Sequence, residues 1–251
     1  MWRDQLLEFS KDYLVVAPDM RGYNLSSKPE EIEQYRQHHI VEDIRALVEE
    51  HFERKEFILI GHDWGGVIAY PFANLHPNIV EKLIIINAPH PNIFEYLLAK
   101  NKDQQSSSQY VLFFRSKNAE GFLSASNYKN ILDIVVTPEM KFTEDDKQMY
   151  IEAWSQPRAL TGGLNYYRAG SLKPPSSGEK IDQLTNKIKP VMIKVPTLVI
   201  WGEKDTALTT HNLDGLDEFI PDLQIKRIPE GSHWIINEQP DKVNKLIREF
   251  L

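Results

Sequence analysis

The sequence predicts an α/β protein, a mostly parallel sheet flanked by helices, and three observations carry that prediction. Short runs rich in Val, Ile and Leu alternate with longer stretches whose apolar residues recur at helical spacing. The short runs are nearly continuous in apolar residues instead of alternating with polar ones, so each strand is covered on both faces. One run passes straight into a helix through a glycine-flanked turn, Gly61-His62-Asp63-Trp64-Gly65-Gly66.

Taken in order, Met1 to Leu7 reads as the start of an amphipathic helix and lacks the basic region and hydrophobic stretch of a secretory leader. Strands are expected at Tyr13 to Ala17, Phe57 to Gly61, Leu83 to Asn87, Thr197 to Trp201 and Gln224 to Ile228. Helices are expected at His38 to His51, where Ile40, Ile44, Leu47 and Val48 share a face, at Gly65 to His76, and at Asp241 to Leu251. From about Pro91 to Lys189 the strand signal disappears. That segment holds helical patterns broken at Ser106-Ser107-Ser108, at Gly162-Gly163 and at the loop Lys173 to Gly178, and its polar Lys100 to Ser108 stretch reads as a solvated loop. The expected organisation is a first core portion over residues 1–91, an inserted helical cap over 92–189, and a second core portion over 190–251.

Composition narrows the function. At 251 residues, 41% hydrophobic and 26% charged, the chain is long enough for one sizeable core with an insertion. A net charge of -7 and the lack of any Lys/Arg-rich run argue against nucleic acid as partner and favour a small neutral substrate. Without cysteine there is no disulfide or thiol chemistry, which fits a cytoplasmic, reducing setting. The longest apolar runs, such as Leu83 to Ile86, fall far short of the ~20 residues needed to cross a bilayer.

The turn after Phe57 to Ile60 has the layout of a nucleophile elbow, with Asp63 where serine more often stands. In such a turn the reactive residue sits in a strained backbone conformation, and Gly61 and Gly65 are expected to relieve collisions with the helix while the Trp64 amide points at the reacting centre. The competing reading is an ordinary aspartate helix cap. A carboxylate nucleophile attacks saturated carbon and leaves an ester, which base-activated water must then cleave. Such chemistry calls for a histidine and a group to orient it. His233 follows the last strand run, and Asp205 follows the run before it, both at carboxyl ends where α/β sheets build their sites. Alone, each would read as a turn or structural residue; the order Asp63, Asp205, His233 gives them their weight. His62, His76 and His90 lack that placement and read as structural.

The motifs Pro18-Asp-Met-Arg-Gly-Tyr23, Gly61-His-Asp-Trp-Gly-Gly66, Asn87-Ala-Pro-His-Pro-Asn92, Leu164-Asn-Tyr-Tyr-Arg168, Trp201-Gly-Glu-Lys-Asp205 and Ser232-His-Trp234 run over essentially the whole chain. Through them it closely resembles the α/β-hydrolase-fold epoxide hydrolases, and looks most like the animal branch related to soluble epoxide hydrolase. The resemblance implies opening of an apolar epoxide through an Asp63 ester, with no cofactor and no metal. It further implies two cap phenols donating to the epoxide oxygen, at Tyr167 in the aromatic-Tyr-Arg motif and at Tyr110 in Gln109 to Phe114, with Tyr166 the easiest residue to mistake for the first. Phe113, Phe114, Trp154 and Trp234 would wall an apolar tunnel, or else serve as core. The family's first three strands and its His-Gly-aromatic-Pro oxyanion loop are not matched by these residues. From that difference a poorly stable, weakly active fragment is expected, with unpaired backbone between Tyr13 to Ala17 and Phe57 to Gly61. Asn24 stands where relatives usually have glycine, and asparagine keeps a left-handed turn. A haloalkane dehalogenase, which shares the elbow, and a catalytically silent interaction protein remain as alternatives.

Overall fold

The computed structural model describes residues 1–176 and 188–251. Four strands, β1 (Phe57–His62), β2 (Val80–Ile86), β3 (Thr197–Gly202) and β4 (Leu223–Ile228), form one parallel sheet in the order β1-β2-β3-β4. The near-continuous apolar runs are buried on both faces. Leu83, Ile85, Val199 and Trp201 point into a cluster with Ile40, Val41, Ile68 and Phe72 on one side. Their neighbours Ile84, Ile86, Leu198 and Ile200 meet Phe9, Ile235, Val243 and Ile247 on the other.

The helices follow from the same periodicity. Helix α1 (Arg3–Phe9) packs on the last helix, α11 (Pro240–Phe250), where Gln5 Nε2 donates to Asn244 Oδ1 at 3.0 Å. Helix α2 (Gln37–Ala46), continued by a wider turn to His51, and α3 (Trp64–Leu75) cover the first face. Between β2 and β3 come α4 (Pro91–Lys100), α5 (Lys102–Ser107), α6 (Tyr110–Phe114), α7 (Ala119–Val135, bent at Ala125 to Tyr128), α8 (Glu144–Ser155) and α9 (Ala159–Ala169). A short α10 (Ile235–Glu238) precedes α11. Among the described residues no helix is long and apolar enough to cross a membrane.

Three expectations are corrected. Tyr13 to Ala17 is not a strand: among the described residues it pairs with no other segment, and Tyr13, Leu14 and Val16 are exposed. A β-rich run becomes a strand only where a neighbour takes its N–H and C=O groups, and propensity alone cannot report that neighbour. The outer edge of β1 likewise has no strand beside it among the described residues. Lys100 to Ser108 is not a solvated loop, because most of it is α5 and Gln104 is 0% exposed. Gly162-Gly163 does not break a helix but lies inside α9. The loop expected at Lys173 to Gly178 lies partly outside the described residues.

The glycines in α9 have a packing reason. A Cβ on Gly162 would stand 2.3 Å from the carbonyl oxygen of Gly22, which itself sits at φ +91°. Two backbones therefore touch without side chains between them, and the phenol of Tyr166 closes the contact by donating to the Arg21 carbonyl at 2.8 Å. This junction fixes α9 over the carboxyl ends of the strands. Asn24, at φ +41°, keeps the adjoining left-handed turn as expected.

Replacing Gly162 by Ala is expected to force two backbones apart and cost about 1–3 kcal/mol of stability. Gly163→Ala, whose Cβ would meet only the edge of Tyr23 at 3.4 Å, should stay within about 1 kcal/mol of the parent. Thermal denaturation of the two variants checks the contrast.

Candidate active site

Parallel strands deliver their carboxyl ends to one side of the sheet, and the loops there meet. Asp63 leaves β1 at φ 51°, ψ −124°, a region that an ordinary side chain rarely adopts. The turn is tight: a Cβ on Gly61 would fall 2.6 Å from the Gly65 carbonyl oxygen, and one on Gly66 would fall 2.3 Å from the Ala88 Cβ. Gly65 has open space around it, so the two positions that require glycine are Gly61 and Gly66, not the expected Gly61 and Gly65. The expectation followed the motif's spacing, whereas the requirement comes from how close α3 lies to the end of β2.

His233, on the loop after β4, places Nδ1 2.7 Å from Asp205 Oδ2 and Nε2 3.3 Å from Asp63 Oδ1. Asp205, after β3, is buried and fully engaged. Its Oδ1 accepts from the Ala207 and Leu208 amides at 2.8 and 2.9 Å, and its Oδ2 accepts from Asn87 Nδ2 at 2.8 Å as well as from His233. Asn87 had drawn notice only as part of a motif. It ends β2 at φ +39°, and its amide also bridges both backbone groups of Gly202. A buried asparagine in a left-handed conformation between two strand ends is the signal that could have singled it out.

The charges are mutually dependent. Burial lowers the His233 pKa, but Asp205 first and then Asp63 outweigh it and raise it to about 10. Burial raises both carboxyls, yet the His233 cation holds each below the usual carboxylate range, helped by the Trp64 amide at Asp63 and by the Leu208 amide and Asn87 at Asp205. At neutral pH the site is thus an imidazolium between two carboxylates. His62 stays neutral, because burial and then the His233 charge push it down to about 4, and its Nε2 donates to the His233 carbonyl at 2.7 Å. His90, at the far end of the loop after β2, bonds the Val191 carbonyl, and His76, after α3, lies 3.8 Å from Glu42, so neither pairs with Asp63, Asp205 or His233.

Asp63 faces a half-open cavity, about 2060 Å³ with its extension along the outer edge of β1, whose lining includes Trp64, Tyr110, Tyr167 and His233. Phe113, Phe114, Trp154 and Trp234 face the same space. The Tyr110 and Tyr167 rings stand 6.1 Å apart and nearly perpendicular, and Trp64 meets Tyr167 edge-on at 5.0 Å. Burial first, and then neighbouring negative charge including Asp63, raises both phenols well above the ordinary tyrosine value, so both are proton donors at rest. Tyr166 turns away, buried against Tyr23, Tyr35 and Trp64. The backbone at Tyr167 is held by Arg115, whose guanidinium donates to the carbonyls of Tyr167 and Gly170 at 2.6 and 2.8 Å. All ten residues singled out in the sequence therefore converge: nine line the cavity, and Asp205 stands behind His233.

Comparison with known proteins places this architecture. The family model described as the α/β hydrolase fold matches residues 1–240. The AB hydrolase superfamily protein YfhM of Bacillus subtilis is 37% identical over 100% of this chain and 85% of its own length. Epoxide hydrolase 2 of Caenorhabditis elegans is 32% identical, over 100% of this chain and 69% of its own. Among solved structures, the inhibitor complex of the Bacillus megaterium epoxide hydrolase superposes with a TM-score of 0.92 at 34% identity, covering 99% of this chain and 87% of that one.

The sign of the pH response follows from these shifts. A histidine raised on folding adds stability that is complete below its unfolded value of ~6.5 and is lost as pH climbs through about 10. Carboxylates held low add stability that is present above ~4 and lost as acid protonates them. Titration of the His233 ring by NMR should give an imidazolium persisting to about pH 10. Asp63→Asn should bring it back toward the ordinary histidine range, and an unshifted resonance would contradict the ion-pair account.

Proposed function

We propose a function from one premise: the chain belongs to the α/β hydrolase fold family, as an epoxide-hydrolase-like member. It adds water to an apolar epoxide and releases a vicinal diol. One observation carries the proposal: two protonated phenols of the cap side, Tyr110 and Tyr167, share the cavity with Asp63 and feel its charge. An opening epoxide leaves an alkoxide that must find a proton, and phenols supply it.

In the first half-reaction a carboxylate oxygen of Asp63 attacks a ring carbon. The ring C–O bond breaks, its electron pair stays on the epoxide oxygen, and that oxygen takes a proton from the phenol pair. The product is a hydroxyalkyl ester. The same step consumes the negative charge of Asp63, which helped both to keep the phenols protonated and to keep His233 charged. Nucleophilic attack thereby makes the phenols better acids when their proton is needed. It also leaves His233 with one carboxylate partner instead of two, so the imidazolium gives up its proton through solvent, the phenolate takes one back, and His233 becomes a base.

In the second half-reaction His233, oriented by Asp205, removes a proton from water, and the hydroxide adds to the ester carbonyl carbon. The Trp64 amide, which donates to the Asp63 carboxylate at rest, stabilises the oxyanion. Collapse expels the diol oxygen, which takes the proton that His233 removed from water; Asp63, released as the acid, then passes its own proton to His233 and the resting ion pair returns. The aromatic walls Phe113, Phe114, Trp154 and Trp234 suit an alkyl or aryl substituent. Haloalkane dehalogenation uses the same nucleophile but needs N–H donors for a halide, and phenols facing the nucleophile's charge favour an alkoxide.

Single turnover in ¹⁸O-labelled water, with enzyme in excess, should give unlabelled diol, because the added oxygen comes from Asp63. Label in the first product would refute the ester route. Asp63→Ala should abolish turnover, His233→Gln should trap an ester visible by intact mass, and Tyr167→Phe should lower kcat by about 10²-fold. A chloroalkane run in parallel should remain unconverted.

A further inference from the structure

We infer that Gln104 is a positioning residue for the reaction proposed above, joining the helix that carries Tyr110 to the carboxylate that orients His233. The inference rests on that reading of the site. Gln104 stands in a stretch of ten residues that is almost entirely polar, yet it is 0% exposed. Its place in α5 is set by Asn101, whose Oδ1 accepts from the Gln104 amide at 2.8 Å and starts the helix.

Five hydrogen bonds converge on its side chain. Nε2 donates to Ser108 Oγ at 2.9 Å and to the Ala207 carbonyl at 2.8 Å. Oε1 accepts from the Thr209 amide at 2.9 Å, the Thr209 hydroxyl at 3.0 Å and Asn212 Nδ2 at 2.8 Å. The neighbours set the residue type. A carbonyl at Ala207 requires a donor and the Thr209 amide requires an acceptor, and a side-chain amide of this length offers both. Glutamate lacks the donors and a thioether lacks both functions.

What Gln104 grips matters more than how many bonds it makes. Ala207, whose carbonyl it holds, is the residue whose amide donates to Asp205 Oδ1, and Leu208 beside it donates to the same oxygen. Ser108, on the other side, precedes Tyr110 by two residues, and its carbonyl accepts from Val111 in the first turn of α6. Two groups that never touch, the phenol that protonates the alkoxide and the acid that holds the base, are thus set from one buried amide. Gln104 does not line the cavity, so it acts through these neighbours and not on substrate.

The test follows both half-reactions of the full chain by rapid mixing with an aryl epoxide, alongside amide hydrogen exchange at Ala207 and Leu208. Gln104→Met, close in shape but without hydrogen-bonding groups, should slow ester formation and ester hydrolysis each by about 10–100-fold, as expected of small misplacements, and speed exchange of both amides. Two milder variants leave the glutamine in place and decide the matter if Gln104→Met does not fold. Ser108→Ala should slow ester formation and spare hydrolysis, whereas Thr209→Val should slow hydrolysis and spare ester formation. A purely structural glutamine predicts a lower Tm with both half-reactions unchanged below it, and that result overturns the inference. A wild type inert toward epoxides would instead overturn the proposed function, and unchanged amide exchange in Gln104→Met would then overturn the role of Gln104 on its own.

Discussion

A charged imidazole ring held between two carboxylates is the constraint on which the rest of this molecule depends. His233 lies 2.7 Å from Asp205, whose side chain is fully buried, and 3.3 Å from Asp63, whose side chain stays 36% exposed toward the cavity. Desolving such ions costs several kcal/mol each, and their attraction offsets it only when the remaining lone pairs are also satisfied. The fold meets that condition. Three parallel strands bring Asp63, Asp205 and His233 to one rim, and the intervening β2 contributes Asn87 to complete the shell around Asp205. Asp63 and Asn87 both take positive φ, at 51° and 39°, where strands end at the site.

Much of this was legible in the residues, for identifiable reasons. The β1 elbow is readable because a buried apolar run, a carboxylate and flanking glycines leave little else that the chain could do there. Asp205 and His233 are readable through order and strand position. Tyr13 to Ala17 misleads because a strand is defined by its partner, and composition records only willingness. Gln104 is invisible for the opposite reason: a polar residue among polar residues reads as solvated until the fold brings Ala207 and Thr209, more than a hundred positions away, against it. Gly65 and Gly66 are adjacent letters with different surroundings, and only the approach of Ala88 separates them.

The helical segment between β2 and β3 is attached to the sheet by polar contacts beside Asp205 and His233. Gln104 reaches the loop after Asp205. Glu238 accepts from Thr137 of that segment at 2.9 Å and from the hydroxyl and amide of Ser232, the neighbour of His233. Buried polar contacts of this kind add little net stability but penalise every alternative arrangement, since a shifted helix would leave several groups unpaired at once. Hydrophobic packing holds the layers together; the amides and carboxylates set their register.

The contact between Gly22 and Gly162 bears on how molecules pass in and out. Where two main chains touch directly there is no side chain to swing aside and no soft layer on which one body can slide. With α9 seated in this way, the roof over Asp63 has no natural pivot along that edge. Any widening of the cavity there falls to side chains such as Phe113 and Phe122, which meet edge to face at 5.3 Å and are both exposed, and not to a hinge.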